Sequence, residues 1–186
     1  MDTRRCALKK ILGFIAILTA IDQIVKLIIA HSYGSAAVVI IPNVLLFRPF
    51  QNTYRLFVTA LVEYRLPIYI IVFIQTIAGV ILISMYRYFS YLLRAKYKLL
   101  DICFAFSISG VCCSFIDTVF WGGSLDYIQL FDWFIFDMKD VFLTITAVLM
   151  IIFLLIVYTP YYNKLTEEDK KKKGFWNWIK KGFPIK

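Results

Sequence analysis

The chain has 186 residues, of which 61% are hydrophobic, and its mean hydropathy is +0.74. This composition excludes an ordinary soluble domain, in which about 45–50% of the residues are apolar. The formal net charge of +9 comes from clusters of Lys and Arg between apolar runs, a pattern typical of membrane topology and not of a nucleic-acid-binding face.

Four apolar segments are each close to the roughly 20 residues that a helix needs to cross a bilayer. They are residues 11–30, about 66–86, about 99–121 and about 141–158. The first segment contains Asp22 and Lys26, which the apolar core of a cleavable signal peptide would exclude. We therefore predict four transmembrane helices, with the first one retained.

The basic residues before, between and after these spans orient them. They are concentrated before residue 11, at 87–98 and after residue 158, so both termini are predicted to be cytoplasmic. Residues 31–65 and 122–140 then face outward. The β-branched and aromatic stretch 36–50 predicts short strands at the membrane surface.

The predicted fold is thus an all-α membrane protein with four transmembrane helices, a small extracytoplasmic β-sheet and a short interfacial helix at 57–64. Residues 1–162 form the transmembrane domain in this prediction, and 163–186 form a basic cytoplasmic tail. Two tryptophans flanked by lysines make the tail either an amphipathic segment on anionic lipid or a frayed end.

Ionisable residues within the spans are the main functional signal, because charge at mid-bilayer is costly. Asp22 and Lys26 share a helix face, where they form either a self-sufficient ion pair or part of a site. Asp117 lies toward the outer end of the third span, Asp126 in the next outer loop, and Asp140 at the start of the fourth span.

A single acid such as Asp140 can simply stabilise a helix N-terminus. Three acids converging at one membrane face indicate instead two carboxyl groups that share a proton and activate a water, which is aspartic-protease chemistry without metal or cofactor. Ion-coupled transport is the alternative use of intramembrane acids. The only histidine is His31, so histidine-based triads and metal sites are not expected.

Five short motifs, in order along the chain, resemble those of the lipoprotein signal peptidase (signal peptidase II) family. The corresponding family patterns are DQxxK at 22–26, NxGxAF at 52–57, GxxGNxxDR at 110–118, VVDF around 125–127 and FNxAD at 136–140. The resemblance implies cleavage of prolipoproteins on the N-terminal side of a diacylglyceryl-modified cysteine, in the bacterial inner membrane, with the active site near the outer face.

The resemblance also implies roles for individual residues. Asp126 and Asp140 would be the catalytic pair. The positions that support them or bind substrate would be Asp22, Lys26, Asn52, Gly110, Ser114, Asp117 and Asp137. The implied partners are prolipoprotein substrates and membrane lipids, with no nucleic acid, and we expect a monomer without cofactor or metal.

Several motif positions depart from the family pattern. The expected Arg after Asp117 is Thr118, and the expected Ala before Asp140 is Lys139. The other departures are Tyr54, Leu56, Cys113, Ser114 and Asp137. The departures leave three outcomes open: an active peptidase, a paralogue with another substrate, or a weakened homologue that binds lipidated proteins without cleaving them. Retention of both catalytic acids favours the first.

Overall fold

The computed structural model describes residues 2–33, 37–53, 66–93, 97–131 and 133–184. Among these residues, four helices are long and apolar enough to cross a membrane, as predicted. Their spanning portions are Leu8–Ser32, Ile68–Leu93, Lys98–Trp121 and Met138–Asn163. The interfacial helix predicted at 57–64 lies outside the described residues, as do Tyr54 and Leu56.

Helix α1 covers Asp2–Ser32 and α2 covers Ile68–Leu93. Helix α3 (Lys98–Ile116) continues into a π-helical turn at Asp117–Trp121. Helix α4 (Met138–Phe153) continues through the π-helical turn Leu154–Tyr158 into α5 (Thr159–Asn163).

The second span continues to Leu93, beyond the predicted end near residue 86. Its last turns bury Phe89 and Leu93 against Leu100 of α3 and Phe153 of α4. This packing extends the helix past the apolar run that was visible in the sequence.

Helix α3 is the centre of the bundle and packs against α1, α2 and α4. Its buried side chains include many small ones, which allow helices to approach closely. They include Cys103, Ala105, Ser107, Ser109, Gly110 and Cys113. A Cβ atom on Gly110 would lie 2.7 Å from Cδ2 of Leu143, so glycine permits the close contact of α3 with α4. The thiols described on α3 are free, as predicted.

A four-stranded antiparallel sheet with strand order β1-β2-β3-β4 caps one end of the bundle, hereafter the sheet end. The predicted strands in the first connection are β1 (Val38–Ile41) and β2 (Leu45–Asn52). The second connection, predicted only as a loop, supplies β3 (Ser124–Leu130) and β4 (Phe134–Phe136). The second connection therefore forms half of the sheet.

The basic tail is helical and not frayed. It forms α6 (Glu167–Lys173) and α7 (Phe175–Lys180). Trp178 is only 1% exposed and packs on Tyr88 of α2, with ring centroids 5.7 Å apart. Trp176 is 75% exposed, so Trp178 is the tail tryptophan that is buried.

Candidate active site

A buried cluster of acids and lysines lies at the sheet end of the bundle, where α1, α3, β3 and α4 meet. Its members, hereafter the acid–lysine cluster, are Asp22, Lys26, Asp117, Ser124, Asp126, Asp137, Lys139 and Asp140. Asp140 is half-buried and the others are buried. The structure thus brings together most of the predicted site residues from four separate elements.

Lys26 is fully buried and links three of these elements. Its Nζ lies 3.0 Å from Asp22, 2.7 Å from Asp117 and 2.7 Å from Asp137. The ion pair within α1 is therefore one part of a larger network, and the interpretation as a self-sufficient pair is wrong. Burying a charge is costly unless several partners compensate it, and Lys26 has three.

Lys139 is the second buried cation of the cluster. Its Nζ lies 2.5 Å from Asp137, 3.3 Å from Asp117 and 3.7 Å from Asp126, and it also contacts the Ser124 hydroxyl. Asp117 is followed by Thr118 where the family pattern has Arg, yet it is paired with both lysines. The charge of Asp117 is therefore compensated from α1 and α4.

Asp137 begins the fourth span as its N-cap. Its carboxylate accepts from the Asp140 N–H at 3.2 Å, while the Asp140 carboxylate accepts from the Asp137 N–H at 3.2 Å. This reciprocal pair satisfies two N–H groups at the helix start. Burial alone would raise the pKa of Asp137, but the ammonium groups of Lys139 and Lys26 outweigh it and hold the pKa below its ordinary value.

Asp126 is held on β3 by neutral donors. Its carboxylate accepts from the Ser124 hydroxyl at 2.6 Å and from the Asn52 amide at 3.1 Å. Burial raises the pKa of Asp126, and the opposing effects of Lys139, Ser124 and Asn52 do not cancel that rise. This carboxyl group therefore takes up a proton more readily than an exposed aspartate.

One carboxylate oxygen from each of Asp126, Asp137 and Asp140 lies within 4.8 Å of the other two. Two hydrogen bonds through one water span roughly 5.5 Å, so a single water can contact both Asp126 and Asp140. Three carboxylates can also attract a hard cation. Here Lys26 and Lys139 already supply positive charge to Asp137, so we assign no metal to this group.

Three predicted supporting residues are not members of the acid–lysine cluster. One of them, Asn52 on β2, donates to Asp126. The other two lie on α3. Gly110 contacts Leu143 at the α3–α4 interface. The Ser114 hydroxyl accepts a hydrogen bond from the Gln75 amide at 3.1 Å, and the same amide donates to Thr118 at 2.8 Å. Both residues therefore belong to the packing of α3 against its neighbours.

Sequence reasoning gave no role to two polar residues that contact the site acids, although one of them, Gln23, falls within the DQxxK match. The Ser124 hydroxyl lies within 3.3 Å of Asp117, Asp126 and Asp137. Gln23 donates to Asp22 at 2.9 Å and to Asp117 at 3.3 Å. Ser124 lies two residues before Asp126 on β3 and so on the same face, but this segment was predicted as a loop, so the alternation was not visible in the sequence.

The fold and the site define a multi-pass membrane protein with a buried acidic site at one end of its helices. Residues 14–156 match the family model described as Signal peptidase (SPase) II. The chain therefore belongs to the signal peptidase II family, a family of aspartic proteases that process lipoproteins. A comparison with curated proteins gave no match.

Solved structures share the fold. One, described as a bacterial membrane enzyme solved by the in meso method at 2.3 Å, is 22% identical with a TM-score of 0.65. The alignment covers 86% of this chain and 93% of that chain. A second, with the same description at 1.9 Å, is 23% identical with a TM-score of 0.66, over 80% and 94% of the two chains. At these identities the similarity establishes the fold alone.

Proposed function

We propose that the protein is an intramembrane aspartic endopeptidase that removes signal peptides from prolipoproteins, cleaving before the diacylglyceryl-modified cysteine. The observation that carries this proposal is the approach of the Asp126 and Asp140 carboxylates to within 4.8 Å at the sheet end. Family membership supports the same reaction class.

In the proposed reaction, ionised Asp126 takes a proton from water while the water oxygen attacks the scissile carbonyl carbon. Protonated Asp140 gives its proton to the carbonyl oxygen, which forms a gem-diol. Asp126 then protonates the leaving nitrogen and Asp140 recovers a proton from the gem-diol as the C–N bond breaks. Asp126 is assigned as the base because Ser124 and Asn52 donate to its carboxylate and Lys139 lies 3.7 Å away. These contacts oppose the rise in its pKa that burial causes.

The proposal places the chain as a monomer in the bacterial inner membrane, with both termini in the cytoplasm and the sheet end outward. The distribution of Lys and Arg along the chain supports this orientation. The substrate would enter laterally, since its lipid anchor stays in the bilayer. No cofactor takes part in the proposed reaction.

The test is a prolipoprotein processing assay in proteoliposomes with Asp126→Asn and Asp140→Asn. Each variant should lose at least about 100-fold in rate, because removal of a general acid or base typically costs 10²–10⁴-fold. Glu168→Gln, an exposed acid of the tail, is the matched control and should cleave at the wild-type rate.

Full processing by either Asn variant would refute the assigned pair. Binding of a lipidated peptide without any cleavage by the wild-type protein would favour the alternative, a homologue that binds lipidated membrane proteins.

A further inference from the structure

Lys139 occupies an unusual position for a lysine. It is 8% exposed, it lies one residue before Asp140, and its Nζ is within 3.7 Å of Asp117, Asp126 and Asp137. A buried ammonium group is retained at a cost, so its partners indicate what it does.

The two lysines of the cluster pair with overlapping but different sets of acids. Lys26 pairs with Asp22, Asp117 and Asp137, whereas Lys139 reaches Asp126 as well as Asp117 and Asp137. Among the ion pairs of the described residues, Asp126 is paired with Lys139. With five carboxylates and two ammonium groups, the cluster cannot be fully ionised without excess negative charge. The charge of Lys139 therefore opposes the effect of burial on Asp126 and favours its ionised form.

We propose that Lys139 is a positioning residue of the reaction, which keeps the Asp126 carboxylate ionised while Asp140 carries the shared proton, and thereby sets the pH range of cleavage. This inference rests on the proposed function. Lys139 also contacts the Ser124 hydroxyl, so it orders the group that donates to Asp126. The lysine acts through Asp126 and needs no contact with substrate.

Other titratable groups face the same cluster and must be considered together with Lys139. They are Asp22 and Lys26 from α1, Cys113 from α3, Asp117 from the π-helical turn, Tyr127 from β3, and Asp137 and Asp140 from the start of the fourth span. Burial raises the pKa of Tyr127 to about 12, so this phenol stays neutral over the range tested. Lys139→Met replaces none of these side chains, but it also removes the ion pairs of Lys139 with Asp117 and Asp137.

The expected effect is a shift in the pH profile. Cleavage requires ionised Asp126, so the rate rises as the pH increases through the pKa of this acid. An opposite charge within about 4–6 Å lowers a carboxyl pKa by roughly 1–3 units. Lys139→Met should therefore move the acid limb of the profile to higher pH by roughly 1–3 units.

The experiment measures processing rates between pH 4 and pH 9 for the wild type, Lys139→Met and Lys139→Arg. The Arg variant keeps the charge and should keep the acid limb near its wild-type position, even if its rate is lower. Lys164→Met, at an exposed lysine beyond the fourth span, is the matched control and should leave the profile unchanged. A Lys139→Met profile that is scaled down but not shifted would overturn the proposal.

A double variant controls for the possibility that Lys139→Met alone fails to fold. Asp137→Asn with Lys139→Met removes one charge of each sign, and Asn remains a good N-cap. Its acid limb should lie at higher pH than that of Asp137→Asn alone, and coincidence of the two limbs would refute the role of Lys139.

A second readout does not require cleavage. The infrared band of the protonated Asp126 carboxyl group can be assigned by its absence in Asp126→Asn. When this band is titrated, its midpoint pH should be higher in Lys139→Met than in the wild type. If the wild type cleaves no prolipoprotein, the proposed function fails, yet this titration still decides whether Lys139 controls Asp126. An unchanged midpoint would overturn the inference by itself.

Discussion

Lys26 shows how one residue can join three helices of a membrane protein. Its ammonium group is fully buried and compensates acids on α1, on the turn after α3 and at the start of α4. The sequence pattern showed that Asp22 and Lys26 share a face, but helix periodicity cannot reveal partners that lie 91 and 111 positions further along the chain. The network could therefore be predicted only in part.

Replacement of Lys26 by Met should strongly destabilise the fold. Breaking a buried ion pair typically costs about 3–5 kcal/mol, because the remaining charges lose their compensation. We expect a much lower midpoint of thermal unfolding in detergent. Lys9→Met changes an exposed lysine on the same helix and should unfold like the wild type. A Lys26→Met midpoint equal to the wild-type value would contradict the assigned role.

Asp137 makes stability depend on pH in a defined direction. Its pKa in the folded state is below the ordinary value of about 3.9, so its contribution is complete above about pH 4 and is lost as the pH falls through the folded-state pKa. Asp137→Asn keeps the cap but removes this titration.

The wild type should therefore be more stable than Asp137→Asn at pH 7, by about 1.5–3 kcal/mol. This gap in unfolding free energy between the two proteins should close as the pH decreases below about 4. Thermal unfolding of both proteins across this range measures the gap. A gap that widens in acid would show that the sign is wrong.

At the scale of elements, the four helices were predictable because each carries an uninterrupted apolar run of spanning length. Strand β3 was not predicted, since five of its first six residues are buried and an alternating pattern is absent. The π-helical turn that presents Asp117 was also not predictable. It ends at Gly122, which has a φ of 68°, and no residue pattern distinguishes such a turn from an ordinary helix end.

Gly123 connects this turn to β3, and its substitution tests how tightly the sheet positions Asp126. A Cβ atom at this position would clash with the backbone carbonyl oxygen of Asn52, the residue whose amide donates to Asp126. Gly123→Ala should therefore displace the end of β2 and weaken the hydrogen bond from Asn52 to Asp126. A hydrogen bond to a charged group is worth about 1.5–3 kcal/mol, so its partial loss should reduce the processing rate by about 10-fold.

Gly13→Ala is the matched control for this prediction. A Cβ atom on Gly13 would meet no heavy atom within 4 Å, and alanine favours a helix interior by up to about 1 kcal/mol. This variant should cleave at the wild-type rate and be no less stable. Equal rates for the two glycine variants would show that the contact of Gly123 with Asn52 does not order the site.

For the whole molecule, the arrangement of charge is the feature that links fold to function. The buried acids gather at the sheet end, whereas the lysine-rich α6 lies at the opposite end of the bundle, against α2. Solved structures only 22% and 23% identical share the fold, so the helical scaffold tolerates extensive change. Lys139 illustrates such change, because it compensates Asp117, which is followed by Thr118 where the family pattern has an arginine.

The predicted orientation follows from this asymmetry and can be measured with single cysteines. Trp133 is 87% exposed at the sheet end, and Glu168 is exposed on α6. In intact spheroplasts, a membrane-impermeant maleimide should label Trp133→Cys but not Glu168→Cys, which should react only after permeabilisation. The wild type supplies the background, and two of its thiols, Cys103 and Cys113, are buried. The reverse labelling pattern would place the acid–lysine cluster on the cytoplasmic side of the membrane. An exported prolipoprotein could not present its cleavage site there, so this result would refute both the orientation and the proposed reaction.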